Sequence, residues 1–537
     1  AAAAHLEGAF SQEDEVAEVL ASHYLAAFHA APDADDAETI RASAGAKLTR
    51  AGERAASLGA PEEGKRYYEQ AADLTDEPLD RADLLEQAGR LAARANRPAE
   101  ARERIERSMA LRSEAGDRRG VARASAALAD VDVDEGRLDE AATRLQEAVA
   151  ELEQGEPSAD LAAALAQLGR VRVVAGHADA AEAPLERALA LAERLLLPEV
   201  LVEALTSKAL ALYNRGRLIE ARILLEAAAE RAYAEQLYVS ALRAKNNLGV
   251  VLEASDRLAE AVELMDRTIP LARRRGDRRW ESNLRTGGLI ELILLGRWDE
   301  ALTVAAEEEP LAAAETARAS LLDIALIHCE RGQLEQARAL LASGEEQRES
   351  DQLQGRAGHA ALEARVLRAE GRNAEALAAT EGALGLRDEL SIADSRVKRG
   401  LVEAIEAALA LHDLDKAEEL LAIPEALDPG ELTPFLQAHT ARLRARLDAV
   451  RGERERVDER FRTAAALFRE FDFAFYLAVT QLEHGEWLTA QNRADEAKPL
   501  LAEARAMFER LRATPWLERT AQVSPVGREP EAVTAGA

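Results

Sequence analysis

The stretch EGRLDEA, residues 135–141, recurs along this chain of 537 residues at a nearly constant spacing. Close copies are RGRLIEA at residues 215–221, LGRWDEA at residues 295–301 and RGQLEQA at residues 331–337. In each copy a glycine stands where one helix should end, and a new Ala/Leu/Glu-rich helix should start within a few residues. Because glycine adopts the left-handed conformation at no steric cost, the copies predict corners between successive helices.

The alanine that ends each copy marks the period. Alanines stand at intervals of about 40 residues at Ala101, Ala141, Ala181, Ala221, Ala261 and Ala301. We expect weaker corners at Asn96, Asp256, His412, Gly452 and Asn492, and a degenerate corner at Gly59. A repeat of this kind predicts about twelve antiparallel helical hairpins that stack on their neighbours in one elongated array.

Each period also carries a small residue before its reference alanine and a large apolar residue after it. Gly89 precedes Ala101 and Ile105 follows it, and Gly249 and Met265 flank Ala261 in the same way. We expect the small residues to let the two helices of a hairpin approach closely, and the large residues to fill the space between adjacent hairpins. The order small, small, large resembles the tetratricopeptide repeat, here in a form lengthened by about a turn or less per helix.

Longer segments carry a narrower resemblance. They are EDEVAEVLASHYLAAFHAAPDADDAETI (13–40), LTRAGERAASLGAPEEGKRYYEQAADL (48–74), LPEVLVEALTSKALALYNRGR (197–217) and ALRAKNNLGVVLEASDRLAEA (241–261). They resemble the C-terminal repeat region of large bacterial signalling proteins that also contain a class III adenylate/guanylate cyclase domain and an ATPase domain of the AAA/STAND type. The resemblance implies an all-α, right-handed superhelical solenoid that is the sensor or scaffold part of such a protein.

The period and its irregularities predict four segments. They are a lead helix and linker (1–35), repeats 1–7 (36–306), repeats 8–12 (307–512) and a disordered tail (513–537). The spacing between Ala301 and Ala337 is shorter than elsewhere, and the segment between them contains the sequence EEEPL. We expect a bend or subdomain seam there, since a shortened repeat changes the local rotation of the array.

The amino-acid composition limits the kinds of partner that we expect for this chain. The formal net charge is −30, from 98 acidic and 68 basic residues, so most of the surface should repel a phosphate backbone and we expect no nucleic-acid partner. The basic run ARRRGDRR, residues 272–279, suits a helix end with a solvated loop better than a phosphate site. No apolar run of about 18 residues occurs, so we expect no membrane partner. Cys329 is the only cysteine, which favours a reducing cytoplasm.

Signals for catalysis are weak. Residues 59–66 fit the pattern G-x-x-x-x-G-K, but Arg66 stands where a phosphate-binding loop needs Ser or Thr, and the preceding text is helical rather than a strand. The nine histidines show no pair at zinc-ligand spacing. We therefore expect a non-catalytic chain with no metal and no cofactor.

The remaining candidate is a binding surface. In tetratricopeptide arrays the first helix of each hairpin lines the concave face, and NNLG at residues 246–249 resembles an asparagine motif that holds an extended peptide. The resemblance selects Thr206, Leu210, Tyr213, Asn214, Arg243, Asn246, Asn247, Val250, Glu253, Asn283, Thr286 and Ile290. An amide donates and accepts hydrogen bonds, which suits a peptide backbone, although either asparagine could instead bond a neighbouring helix. The expected occupant is a protein or peptide; the alternative is a small ligand that controls an attached nucleotide-binding or cyclase domain.

Overall fold

The computed structural model describes residues 17–523 apart from residues 96, 275, 311–314 and 351. The first helices are α1 (Ala17–Ala30), α2 (Ala37–Ser57), α3 (Pro61–Asp73), α4 (Pro78–Arg94), α5 (Pro98–Glu114), α6 (Arg118–Asp134), α7 (Leu138–Leu152), α8 (Ala159–Val174), α9 (Ala178–Arg194), α10 (Pro198–Asn214), α11 (Leu218–Ala234), α12 (Tyr238–Ala254) and α13 (Leu258–Arg274). They are followed by α14 (Arg278–Gly287), α15 (Leu289–Leu294), α16 (Trp298–Glu308), α17 (Glu315–Leu321), α18 (Ile324–Glu330), α19 (Leu334–Ser343), α20 (Leu353–Ala369), α21 (Asn373–Leu384) and α22 (Arg387–Leu390). The last are α23 (Ser395–Ala410), α24 (Leu414–Glu425), α25 (Pro434–Arg451), α26 (Val457–Glu470), α27 (Ala474–Ala490), α28 (Ala494–Leu511) and α29 (Thr514–Val523).

The predicted all-α class is confirmed. Within the described ranges the regular structure is α-helix, with one short 3₁₀ segment at Glu345–Glu349 and no strand. Consecutive helices pack side by side as hairpins, because each helix buries an Ala/Leu stripe against the next one.

The corners between helices lie at the positions that the repeated sequence predicts. Gly136 has a φ of 80° and Gly296 a φ of 74°, so both occupy the left-handed region that favours glycine. The weaker corners also adopt it without glycine, with φ values of 60° at Asp256, 58° at His412 and 61° at Asn492. The predicted corner at Asn96 lies outside the described residues. The sequence around a corner therefore predicts it even where another residue stands in place of the glycine.

The small and large positions pack against each other inside a hairpin. A Cβ added to Gly89 would lie 2.6 Å from Cγ1 of Ile105, and a Cβ added to Gly485 would lie 2.6 Å from Cδ2 of Leu501. The large residue thus fills the place that the missing glycine side chain leaves. This corrects the expectation that it fills the space between adjacent hairpins.

The chain end differs from the sequence expectation. Residues 514–523 form helix α29 rather than a disordered tail, because Trp516 supplies an anchor. Its indole stacks on Phe508 at a centroid distance of 5.7 Å, and its Nε1–H donates to Oε2 of Glu330 at 2.8 Å. Residues 524–537, the rest of the predicted tail, lie outside the described residues, as do residues 1–16 of the predicted lead segment.

Contacts divide the chain into two compact units. The first consists of Ala1–Ala211, Ala228–Ala241 and Pro270–Arg278, and the second of Leu212–Ala227, Leu242–Ile269 and Arg279–Ala537. The predicted joint after residue 306 lies inside the second unit, with residues 311–314 outside the described part. One core of the first unit is aliphatic, around Leu145, Leu165 and Leu185. A core of the second unit contains the rings of Phe435, Phe468 and Phe473.

Candidate functional site

Helices α12 and α14 of the second unit bring several of the predicted groove residues together. Arg243, Asn246 and Val250 follow each other at three- and four-residue spacing, so they share one face of α12. All three are half-buried, as is Asn283 on α14. Gly287, at the end of α14, is exposed, and a Cβ added there would meet only Oδ1 of Asn246, at 4.0 Å. We call Arg243, Asn246, Asn247, Val250, Asn283 and Gly287 the amide surface.

The twelve predicted residues fall into two groups by exposure. The half-buried group is Leu210, Arg243, Asn246, Asn247, Val250 and Asn283. The buried group is Thr206, Tyr213, Asn214, Glu253, Thr286 and Ile290. Ile290 belongs to a hydrophobic cluster with Leu401 and Phe435 of later hairpins. In the second unit the apolar floor expected from the sequence is thus covered by the chain itself, and the amide surface is the part that solvent reaches.

The contacts of Tyr213 show how later hairpins cover the apolar floor. Its hydroxyl donates to Oδ2 of Asp394 at 2.8 Å, although the two residues are 181 positions apart in the chain. Asp394 is the N-terminal capping residue of α23, and its Oδ1 accepts the backbone N–H of Arg396 at 2.9 Å. Burial, with the charge of Asp394, raises the pKa of Tyr213 well above its ordinary value. Such a bond to a charged acceptor contributes about 1.5–3 kcal/mol.

A second contact between earlier and later hairpins of the second unit lies at the end of α12. Lys398 of α23 forms a buried ion pair with Asp256, and its Nζ also donates to the carbonyl of Ala254 at 3.3 Å. The other carboxylate oxygen of Asp256 accepts the backbone N–H of Phe435 at 2.6 Å. Asp256 therefore has two functions at a corner where most repeats carry glycine: it turns the chain, and it binds the N-terminal ends of two later helices.

Two buried glutamates lie close to these contacts. Glu253 is 7% exposed and Glu291 on α15 is 2% exposed. Burial raises the pKa of Glu253, opposed by Arg396 and by a hydrogen bond from Ser395. Burial, with the neighbouring charge of Glu253, raises the pKa of Glu291 well above its ordinary value. Among the described side chains, Oε2 of Glu291 has no hydrogen-bond partner.

The later hairpins of the second unit carry a row of alternating charges, which we call the charge ladder. Its members are Glu330, Arg365, Arg368, Glu403, Glu406, Arg442, Arg446, Glu483, Glu486 and Arg519. The guanidinium of Arg368 donates to Glu403 at 2.6 Å, and that of Arg446 donates to Glu406 at 2.5 Å. Further along, Arg519 donates to Glu486 at 2.7 Å. Sequence analysis missed this ladder, although the paired charges at three- and four-residue spacing in successive hairpins are its signal.

The ladder borders a small cavity lined by apolar and charged side chains. The cavity has a volume of about 30 Å³, and its lining includes Trp298, Glu330, Arg365, Glu403 and Tyr476. That volume holds about two water molecules, far below the size of a typical ligand pocket. The position therefore suits buried water rather than a small-molecule ligand.

The structure also bears on the other sequence hypotheses. Lys65 lies inside helix α3 and donates to Glu100 at 2.7 Å, so the stretch at residues 59–66 forms a corner and a helix start. Within the described residues, no group of three or more His, Cys, Asp or Glu side chains could hold a metal ion. Over the same residues, none of the helices combines the length and the apolar character that a membrane span requires.

Comparison with known proteins identifies the repeat. A tetratricopeptide repeat family model matches residues 241–275, the hairpin that contains Asn246 and Asn247. A search of the curated proteins found no match. Several solved structures resemble this chain at low sequence identity.

Three of these structures are representative. A Rap protein complexed with Competence and Sporulation Factor is 16% identical, with a TM-score of 0.42, over 68% of this chain and 99% of that one. A STAND protein with a tetratricopeptide repeat sensor from Pyrococcus horikoshii is 14% identical, with a TM-score of 0.36, over 56% and 48%. A chain of the APC/C hetero-tetramer Cut9–Hcn1 is 12% identical, with a TM-score of 0.47, over 90% and 94%. The described part of the chain is thus all-α and built of helical hairpins, and residues 241–275 match the tetratricopeptide repeat.

Proposed function

We propose that this chain is a non-catalytic interaction module that binds a protein or peptide at the amide surface. The observation that carries the proposal is the pairing of half-buried amides on two neighbouring helices next to an exposed glycine. The amides can donate to and accept from a peptide backbone, and Gly287 leaves room for a chain to approach the helix closely. Tetratricopeptide arrays present extended surfaces of this kind to their partners.

The proposal is narrower than the groove expected from the sequence. Tyr213, Glu253 and Ile290 are buried under later hairpins, so in this conformation they support the surface rather than contact a partner. The contact set becomes Arg243, Asn246, Asn247, Val250 and Asn283, all in the second unit.

We further propose that the module is the sensor or scaffold part of a larger cytoplasmic signalling ATPase or cyclase. The support is the resemblance of residues 197–217 and 241–261 to the repeat regions of such proteins. The alternative, a small-ligand sensor, gains no support from the cavity beside the charge ladder, because about 30 Å³ is too small for a metabolite.

The test is capture of partners from a lysate of the source organism with the wild-type chain and the double variant Asn246→Ala/Asn247→Ala. Loss of two backbone-directed hydrogen bonds should weaken a true partner by about 2 kcal/mol, a factor of about 30 in Kd. The matched control is Asn373→Ala, another half-buried asparagine, at the start of α21.

Melting curves should coincide for the three proteins, because neither asparagine of the double variant is buried. Partners that the control retains and the double variant loses support the proposal. Identical partners and affinities for all three proteins would move the binding surface away from α12.

A further inference from the structure

Earlier hairpins of the second unit contact later ones at a nearly constant separation along the chain. Three hydrogen bonds between them span 181, 179 and 180 positions: Tyr213 to Asp394, Phe435 to Asp256, and Arg331 to Leu511. Since the separation repeats, these contacts form one interface between hairpins about 180 residues apart, which we call the interturn interface.

The interturn interface has an apolar part and a polar part. In the apolar part the ring of Phe475 contacts Trp298 at a centroid distance of 5.4 Å and Trp516 at 5.5 Å. In the polar part, around the N-terminal end of α23, the contacts are hydrogen bonds and ion pairs. The three rings carry no charge that changes with pH, whereas the strength of the polar part depends on which of its carboxyls are ionised.

The polar part contains more carboxyl groups than cations. Its buried or partly buried charged groups are Glu253 on α12, Glu291 on α15, Asp323 before α18, and Asp394, Arg396 and Arg399 at the start of α23. Arg396 pairs with Asp394 at 3.2 Å, and Arg399 pairs with Asp323 at 2.9 Å. Among these described groups each cation therefore pairs with an aspartate, and none pairs with a glutamate.

The two glutamates are poorly placed to carry charge together. Burial raises the pKa of Glu253, opposed by Arg396 and by a hydrogen bond from Ser395. Burial, with the charge of Glu253, raises the pKa of Glu291. Glu291 is 2% exposed, and its Oε2 has no hydrogen-bond partner among the described side chains. Two ionised carboxylates here would be desolvated and would repel each other, so the closed interface favours their protonated forms.

We propose that protons on Glu253 and Glu291 hold the polar part of the interturn interface closed, and that this part opens when both carboxyls ionise. Opening returns the two charges to water, while the rings around Phe475 stay packed and limit the opening to the polar part. It uncovers Tyr213 and Glu253, which the repeat pattern places on the groove face. The inference goes beyond the proposed function, because it concerns the covered floor and not the amide surface.

The direction of the pH dependence follows from the raised pKa values. The ordinary pKa of a glutamate is 4.5, and both groups return to it when they reach water. The closed state therefore binds more protons than the open state, and it loses stability as the pH rises from about 4.5 through the elevated pKa values.

Two other titratable or charged sites border the polar part. One is the buried pair of Lys398 with Asp256. The other is His439, whose ring centroid lies 4.4 Å from that of Phe435. Burial lowers the pKa of His439, so its protonation acts in the opposite direction, at acid pH. A comparison of variants at each pH cancels both contributions, because neither site is changed.

The backbone N–H of Phe435 reports the opening directly. It lies in the first turn of α25, where a helix supplies no acceptor of its own, and it donates across the interface to Oδ2 of Asp256 at 2.6 Å. Native-state hydrogen exchange at residue resolution, corrected for the intrinsic exchange rate, measures its protection. The proteins are the wild-type chain, Glu253→Gln/Glu291→Gln and the control Glu453→Gln, which changes an exposed glutamate of the second unit.

We expect Phe435 to be more protected in the double variant than in the wild type, by a ratio that grows with pH. Between about pH 5.5 and pH 8 this ratio should increase at least tenfold, which corresponds to a pKa shift of one unit. The ratio for Glu453→Gln should stay near one. The ratio at Leu482, a buried residue packed in the apolar part, should not change with pH.

Glutamine has the shape of a protonated glutamate, so the double variant should fold, and each single variant should show a smaller change in the same direction. A purely structural effect would change protection equally at every pH and would overturn the proposal. Equal changes at Phe435 and Leu482 would also overturn it, because they would show a change in the folding of the whole unit. No partner takes part in this experiment, so its failure is distinct from failure of the amide surface in the capture experiment.

Discussion

Gly89→Ala provides the sharpest test of the packing rule that repeats along the chain. Gly89 lies inside α4, and an added Cβ would meet Cγ1 of Ile105 at 2.6 Å and the carbonyl oxygen of Ala101 at 3.1 Å. Ile105 is fully buried and β-branched, so it has few alternative rotamers. Such overpacking costs about 1–3 kcal/mol, while the change from glycine to alanine in a helix returns about 1 kcal/mol.

The control is Gly45→Ala in α2, because a Cβ added to Gly45 would meet nothing within 4 Å. This variant should gain about 1 kcal/mol from helix propensity, so the two alanine variants should differ by about 1–3 kcal/mol. Adding Gly89→Ala to an Ile105→Ala background should no longer destabilise the hairpin.

Native-state hydrogen exchange measures the effect locally, since the helices around Gly89 in the first unit contact mainly their neighbours in the chain. Exchange should accelerate in α4 and α5 of Gly89→Ala and remain unchanged at the far end of the array. The reasoning is refuted if Gly89→Ala stabilises the chain as much as Gly45→Ala does.

Two further predictions concern the second unit. Arg442→Met removes a buried guanidinium that binds Glu406 and lies 3.3 Å from Glu483, so it should cost about 3 kcal/mol in urea unfolding, whereas Arg462→Met at an exposed pair should cost less than about 1 kcal/mol. Equal effects of the two changes would show that the charge ladder does not stabilise the fold. Burial, with the charge of Arg442, holds the pKa of His439 well below 6.5, so the unfolded chain binds a proton that the folded chain does not. Stability should therefore fall as the pH drops below about 6.5, and His439→Phe should reduce this loss; an identical pH profile for the variant would exclude His439 as the cause.

The sequence predicts the local part of this structure well. Corners at Asp256, His412 and Asn492 are recognisable without glycine, because the sequence around them repeats. One local motif determines each of these turns. The burial of Tyr213 was not predictable in the same way. Its partner Asp394 is 181 residues away, and the contact depends on how later hairpins of the second unit lie against earlier ones. No local pattern encodes that arrangement.

Glu253 illustrates the same limit for the candidate site. Its offset from Gly249 places it on the face that lines the groove in tetratricopeptide arrays, and this assignment of the face depends only on helical periodicity. Exposure is a separate property, since it depends on whether other segments cover that face. Glu253 is buried near Ser395, whereas Asn246, two turns earlier on the same helix, is half-buried. The amide surface therefore follows from the repeat pattern, and its boundary follows from tertiary contacts.

The covered floor determines how a partner can bind. Access to Tyr213 and Ile290 would require breaking the buried pair of Lys398 with Asp256 and the bond of Tyr213 to Asp394. The hydrogen bond of Tyr213 to a charged acceptor contributes about 1.5–3 kcal/mol, so its loss alone disfavours the open state by about that amount. A partner that required the open state would then need to bind it at least about 10- to 150-fold more tightly than the closed state. A partner on the amide surface incurs none of this cost, because Asn246, Asn247 and Asn283 already reach solvent in the closed state.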